Sequence, residues 1–302
     1  MRPEVGFVGV GNIGAPICRH LIDDGYPVAV FDADPRALEE FRDSAATVAS
    51  SLTDLARRSK VVVLSLPNSD VVERVILGNE GLAEGLSEGN VLIDTSSSRP
   101  SSTRRIAAHL AERGIEMLDA PVSGGVLRAR EGSLAVMVGG EEEVYKRHRE
   151  LLGSFGHHIF YVGDHGAGHV TKCLNNLASA TTLAASAEIV LIGVRAGLEP
   201  EKLVEVLNTS SGRSYSTEVK FPRYVLNRAF DDGFAIALMS KDLKIALDTA
   251  AELRGPMVIG TAVGRVWEEA VSQGYGSESH TAIYAFIEKM MEQTGPEQES
   301  ID

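Results

Sequence analysis

Two cysteines, one tryptophan and an aromatic share of 6% deprive this 302-residue chain of the marks of several protein classes. Cys18 and Cys173 cannot staple a disulfide scaffold, each lies inside a helical pattern, and neither belongs to a recognisable metal-ligand set. Reduced intracellular thiols are expected, and no metal site. Basic residues are scarce as well: 29 Lys and Arg against 42 Asp and Glu leave a net charge of −13. That balance argues against nucleic acid or an anionic membrane as partner, and Arg57-Arg58 and Arg104-Arg105 are too scattered to reverse it. Long uncharged apolar runs are missing too. The most apolar stretch, Leu177 to Gly193, contains Glu188 and ends near Arg195, so it predicts a buried helix rather than a membrane span. Met1-Arg2-Pro3-Glu4 leads into an apolar strand and not into a signal-peptide core, so the cytoplasm is expected. There is no internal repeat, and only the tail Gly295–Asp302 reads as disordered.

What is present is an apolar fraction of 44%, enough for two cores, and a glycine pattern with a specific use. The opening strand Val5-Gly6-Phe7-Val8 runs into Gly9-Val10-Gly11-Asn12-Ile13-Gly14 and then a helical pattern from Pro16. Gly9 permits the tight turn, Gly11 lets backbone approach a pyrophosphate, and Gly14 lets the helix pack on the sheet with its N–H groups aimed at phosphate. Asn12 and Ile13 complete that turn. Asp32, closing the second strand Val28-Ala29-Val30-Phe31, can accept hydrogen bonds from an adenosine ribose and would repel a 2′-phosphate. NAD is therefore expected over NADP.

Strands then alternate with helical segments. The pattern predicts a strand near Val48, a helix Leu52–Arg58 capped by Ser51, and a fully apolar strand Val61–Leu66. Helix Asp70–Leu77, strand Val91–Asp94, helix Ser102–Arg113 and strands Met117–Asp119 and Leu134–Val138 follow, then helix Glu141–Phe155 and strand Ile159–Val162. After Gly163 everything reads as helix: Ala167–Ala196, Glu201–Asn208, Ser216–Leu226, Leu243–Leu253, Met257–Gln273 and Thr281–Met291. The predicted fold is α/β, a Rossmann-type doubly wound, mostly parallel sheet (1–163) with an all-α C-terminal domain (164–302) that completes the substrate site and pairs subunits.

Seven motifs stand in order along nearly the whole chain: Gly9–Pro16, Leu66-Pro67-Asn68, Asp94–Pro100, Asp119–Gly125, Met137–Gly140, Gly166-Ala167-Gly168 leading to Lys172–Asn176, and Leu238–Leu243. In these the chain resembles the β-hydroxyacid dehydrogenase family, which includes 3-hydroxyisobutyrate dehydrogenase and tartronate semialdehyde reductase.

The resemblance implies roles that each residue's chemistry can support. Lys172 matches the family's catalytic lysine, which takes the hydroxyl proton as hydride leaves. A lysine serves as base only where burial or nearby positive charge lowers its pKa, and Val170, Leu174 and Leu177 are expected to supply apolar surroundings. Asn176, one turn on, can hold substrate oxygen beside it; Asn175 serves either helix packing or the same site. Ser123-Gly124-Gly125, after a strand end, forms an anion nest assigned to the substrate carboxylate. Leu66, Pro67, Ser96 and Ser97 match positions on the cofactor's ribose and nicotinamide side, and Lys241 matches a lysine near the cofactor. Asp242 is a helix cap or ion-pair partner. Phe234 either walls the cofactor pocket or packs in a core. His157, His158, His165 and His169 read as surface or hinge histidines, with His169 the one to test against the lysine.

Two departures stand out. Arg128 occupies a place where the family commonly has a small residue; if it reaches the site, the substrate is larger or more charged than 3-hydroxyisobutyrate. Ser279 stands where an aspartate is often found. The expected activity is NAD-dependent oxidation of a short 3-hydroxyacid, or reduction of its semialdehyde, by a homodimer or homotetramer. An imine reductase on a related scaffold and a non-catalytic dinucleotide sensor are the alternatives; imine reductases usually lack the lysine, and no reader segment is added for sensing.

Overall fold

Four consecutive buried residues, Val5–Val8, make the central strand β1, because a strand covered by helices on both faces reads as a continuous apolar run. The structure is a computed structural model that describes residues 2–293, so the tail 295–302 lies outside the described residues. Around β1 stand β2 (Val28–Phe31), β3 (Thr47–Val48), β4 (Val61–Leu64), β5 (Val91–Asp94), β6 (Glu116–Asp119), β7 (Val122–Ser123), β8 (Leu134–Gly140) and β9 (Gly156–Gly163). Their order is β3-β2-β1-β4-β5-β6-β8-β7, with β9 beside β8. Pairing is parallel from β3 to β6, whereas β8 runs antiparallel to β6 and β7 and parallel to β9. The chain builds outward from β1 through β2 and β3, then returns to place β4 on β1's other side. Between β1 and β4 lies the switch point, where open α/β sheets bind ligands beyond the carboxyl ends of the strands.

The helices between strands are α1 (Gly14–Asp23), α2 (Glu39–Arg42), α3 (Leu52–Arg58), α4 (Ser69–Leu77), α5 (Leu82–Gly85), α6 (Pro100–Ala111), α7 (Gly125–Arg130) and α8 (Glu142–Gly153). They cover two apolar layers: Ile17, Leu21, Phe41, Leu152 and Phe155 on one face of the sheet, and Leu55, Val72, Ile76, Ile106 and Leu110 on the other. Local chemistry sets the helix starts. Ser51 Oγ accepts from Asp54 N at 3.0 Å, and Asn68 Oδ1 accepts from Val71 N at 3.0 Å. The sheet is the doubly wound, mostly parallel one expected. The differences are local: α2, α5, α7 and β7 are short elements with too few residues for a period to show, and β4 ends at Leu64 rather than Leu66.

By packing, the chain divides into Met1–Cys173 and Leu174–Asp302, the division falling inside the long helix α9 (Ala167–Arg195). The second unit is helical: α10 (Pro200–Thr209), a π-helical segment Ser216–Val225, α11 (Ile236–Glu252), α12 (Val258–Ala270) and α13 (Ile283–Gln293), with Trp267, Phe221 and Phe286 fully buried. Pro222 falls inside the π-helical segment, where its missing N–H breaks the ordinary hydrogen-bond ladder. By length and composition α9 could cross a membrane, and half of its most apolar stretch is buried. The expectation of a buried helix is therefore corrected: Ile192 is 54% exposed and Ile189 49%.

Candidate active site

Gly9 takes a φ of +92°, which suits the turn out of β1, and a side chain there would collide with the Ser65 carbonyl. A Cβ on Gly14 would run into the Gly9 carbonyl, so α1 can start against the turn only with glycine. Gly11 is exposed, and nothing lies within 4 Å of where its Cβ would be. Asn12 and Ile13 follow it; Ala15 N is taken by the Gly11 carbonyl at 2.9 Å, and no side chain caps the start of α1, where an anion can sit. Asp32 lies just past β2. Its Oδ2 accepts from Val10 N and its Oδ1 from Asp34 N, both at 2.8 Å, which pins the carboxylate beside the glycine turn and leaves each oxygen a further lone pair. An open glycine turn, an uncapped helix start and a fixed carboxylate fit a nicotinamide dinucleotide.

The loops after β4 and β5 meet at the same end of the sheet. Leu66 lies over Gly9, and Leu66 N donates to Ser96 Oγ at 2.9 Å. Pro67 is exposed and Ser97 half-buried in these loops. Asp94, fully buried at the end of β5, accepts from Ser96 N at 2.9 Å and from Ser98 Oγ at 3.2 Å.

Beyond β6, Ser123 lies in β7 and is followed by Gly124 and Gly125, at φ +139° and +70°. The Arg128 side chain runs along Gly124: a Cβ there would stand 2.7 Å from its Cβ and its Cδ. Arg128 and the two glycines are exposed.

Asp119 ends β6 and is fully buried. It accepts from Gly166 N at 2.8 Å and from His169 N at 3.0 Å, capping α9 from the sheet. Lys172, one turn into α9, is half-buried and lies in the unit that carries the glycine turn. The apolar surroundings expected for it are corrected. Leu174 is 44% exposed and Val170 half-buried, because residues two apart on a helix point to different faces. On the helix face of Lys172 lie instead Gly168 and His169 one turn before, and Asn175 and Asn176 one turn after. His169 is likewise no surface histidine but is buried at 1% exposure; His157 and His158 are exposed, and His165 Nε2 meets the Met117 carbonyl at 3.0 Å.

In the second unit, buried Asn176 donates Nδ2–H to Asp242 Oδ2 at 2.6 Å and accepts from exposed Asn175 at 3.2 Å. Asp242 also pairs with Lys241 at 3.1 Å. It sits inside α11, so it is an ion-pair partner and not a cap. Phe234 is half-buried and packs edge-on against His280, ring centroids 5.6 Å apart. His280 Nδ1 lies 2.8 Å from Asp232 Oδ2, and Ser279 Oγ donates to the other oxygen of Asp232, so Asp232 supplies a carboxylate where Ser279 lacks one. Sequence reasoning missed the roles of Asp94, Asp119, Thr103 and Asp232. A carboxylate closing the apolar runs Val91-Leu92-Ile93 and Met117-Leu118 was the available signal for the first two.

Fold and site thus define a Rossmann-type oxidoreductase built to hold a nicotinamide dinucleotide. Residues 4–163 match the family described as "NAD binding domain of 6-phosphogluconate dehydrogenase", and residues 166–287 that described as "NAD-binding of NADP-dependent 3-hydroxyisobutyrate dehydrogenase". The chain is 34% identical to the mitochondrial 3-hydroxyisobutyrate dehydrogenase of Rattus norvegicus over 292 residues, covering 95% of this chain and 87% of that one. It is 36% identical to the 2-(hydroxymethyl)glutarate dehydrogenase of Eubacterium barkeri over 287 residues, covering 95% of each. The solved 3-hydroxyisobutyrate dehydrogenase of Mycobacterium tuberculosis with L-serine superposes with a TM-score of 0.87 at 29% identity, over 95% of this chain and 99% of that one. The chain belongs to the β-hydroxyacid dehydrogenase family, and it is an oxidoreductase acting on the CH–OH group of a small hydroxyacid.

Proposed function

We propose that this chain interconverts a short 3-hydroxyacid and its semialdehyde with NAD, and that Lys172 carries the hydroxyl proton. The observation that carries the reading is the placement of Lys172: its helix turn starts against the ends of β5 and β6, in the unit that holds the glycine turn and Asp32. When bound, the dinucleotide accepts or returns the hydride. The Lys172 amine takes the hydroxyl proton as the carbinol C–H bond breaks, and gives it back in reduction. Ser123, Gly124 and Gly125 hold the substrate carboxylate, and Asn175 and Asn176 stand one turn beyond the lysine. Gly9, Gly11, Asn12, Ile13 and Gly14 receive the pyrophosphate, and Leu66, Pro67, Ser96 and Ser97 line the nicotinamide side; Phe234 and Lys241 keep the cofactor roles that the family resemblance implies. Residues 1–163 serve dinucleotide binding; residues 164–302 add substrate contacts and subunit pairing.

The NAD preference rests on charge. Asp32 sits where a 2′-phosphate would add negative charge, and Arg36, the arginine next along, is already held by Asp34 at 2.8 Å. Arg128 beside the nest favours a substrate with a second anionic group, and one relative is named for a dicarboxylate. Exposed Val258, Ile259, Ile192 and Leu198 support a homodimer or homotetramer. Two free buried thiols suit the cytoplasm; burial pushes the Cys18 thiol far above its ordinary range, so it is inert.

The test is a 340 nm screen of 3-hydroxyacids, dicarboxylic 3-hydroxyacids and semialdehydes with both cofactors. Turnover is expected with NAD favoured at least about tenfold in kcat/KM. Turnover of cyclic imines with NADPH and of no hydroxyacid would refute it.

A further inference from the structure

His169 has no part in the chemistry above, yet this buried residue, one turn before Lys172, has both ring nitrogens engaged. Nε2 lies 3.0 Å from the Ser96 carbonyl, which can only accept, so Nε2 carries a proton. Nδ1 lies 2.7 Å from Thr103 Oγ1, a hydroxyl that also reaches the Arg99 carbonyl at 3.2 Å. Two buried carboxylates flank the ring, Asp94 Oδ2 at 3.7 Å from Nε2 and Asp119 Oδ2 at 3.7 Å from Nδ1. With both nitrogens taken, the ring is neither an open base nor a metal ligand.

The partners give the contact a direction. Ser96 receives Nε2–H on its carbonyl while its Oγ receives Leu66 N at 2.9 Å. One hydrogen bond therefore joins the loops after β4 and β5 to the turn of α9 that carries Lys172. We propose that His169 is a positioning residue: its Nε2–H bond to Ser96 sets the separation between the nicotinamide-side loops and the Lys172 amine. This rests on the roles assigned above to Lys172, Leu66 and Ser96.

Two amides divide the ring's functions. His169→Gln can place an N–H donor near the position of Nε2 and keep the bond to Ser96; His169→Asn reaches only the Nδ1 side, toward Thr103. The full chain is assayed with the hydroxyacid of highest turnover, deuterated at its carbinol carbon. Kinetics are read beside NAD affinity and thermal midpoint. For His169→Asn the expectation is a kcat loss of about 100-fold, since displacements near 1 Å cost that much in hydride geometry, with NAD Kd changed less than about threefold. The deuterium isotope effect on kcat should rise as hydride transfer becomes rate-limiting. His169→Gln should keep kcat within about fivefold. Equal kcat losses in both variants, tracking their thermal midpoints with an unchanged isotope effect, would reduce His169 to a packing role. If His169→Asn does not fold, His169→Gln decides alone: a kcat loss beyond about 30-fold overturns the proposal. Lys172→Ala run in parallel separates the layers. Full turnover there sinks the catalytic reading, whereas a dead Lys172→Ala beside a fully active His169→Asn sinks only this one.

Discussion

Gly168 is the residue at which this account is most exposed to a single methyl group. A Cβ there would fall on the Met137 carbonyl and stand 2.7 Å from the Asp119 carbonyl and 2.9 Å from Asp119 Oδ2. Met137 and Asp119 lie in β8 and β6, which are paired to each other, so the obstructing carbonyls cannot turn away as a flexible side chain would. Carbon and oxygen need more than 3 Å, so in Gly168→Ala the first turn of α9 must retreat by about 1 Å. Lys172 is one turn further along and moves with it. Overpacking of this kind costs about 1–3 kcal/mol, or a thermal midpoint lower by about 2–10 °C in a unit of this size. Displacing the amine by about 1 Å costs up to 100-fold in kcat. NAD Kd should hold, because the glycine turn and Asp32 lie on other loops. Stopped-flow absorbance for the hydride step, calorimetric titration for NAD and a thermal melt read the three quantities. A Gly168→Ala enzyme with wild-type kcat would refute the claim that the start of α9 places the lysine.

Asn176→Ala strips the 2.6 Å donor from buried Asp242 Oδ2 and should cost about 2–3 kcal/mol in a chemical melt, whereas Asn176→Ala with Asp242→Ala should cost less than the two singles combined. Burial holds the His280 imidazole below its ordinary pKa of 6.5 against the pull of Asp232. A depressed folded-state pKa means the unfolded chain binds more protons below pH 6.5, so stability should fall on acidification from there. His280→Asn should flatten that slope in thermal melts between pH 7 and about 5. Asp232 is also held below its usual value: desolvation opposes this, but His280 and Ser279 outweigh it. Its contribution is lost only below pH 3.8. Asp32→Ser removes the charge that rejects a 2′-phosphate and should shift the NADP to NAD ratio of kcat/KM upward by about tenfold or more; no shift would mean that Asp32 serves only Val10 and Asp34. Arg128→Ala should lower kcat/KM for dicarboxylic hydroxyacids by about 10- to 100-fold and leave monocarboxylic ones unchanged; equal effects on both classes would remove Arg128 from specificity.

Most strands and helices of the first unit were legible because their signals are local. The buried runs at Val61–Leu64 and Val91–Asp94 and the cap at Ser51 each sit within a few residues of what they cause. Elements without such a signal were missed. Gly125–Arg130 is one turn and a half, and the first turns of α11, from Ile236, carry Ser240, Lys241 and Asp242, which blur the period. The polar contacts of the site could not be read at all. Asp119 meets Gly166 and His169 from 47 and 50 residues away, and Ser96 meets His169 from 73, so only the folded sheet brings them together. For the same reason His169 reads as a surface residue along the chain and is a buried link in the fold.

Lys172 decides the matter. In Lys172→Ala, single-turnover formation of NADH at 340 nm should fall by at least about 1000-fold while NAD Kd stays within about threefold, and added methylamine should restore part of the rate. Undiminished NADH formation in that variant would contradict the account at its root.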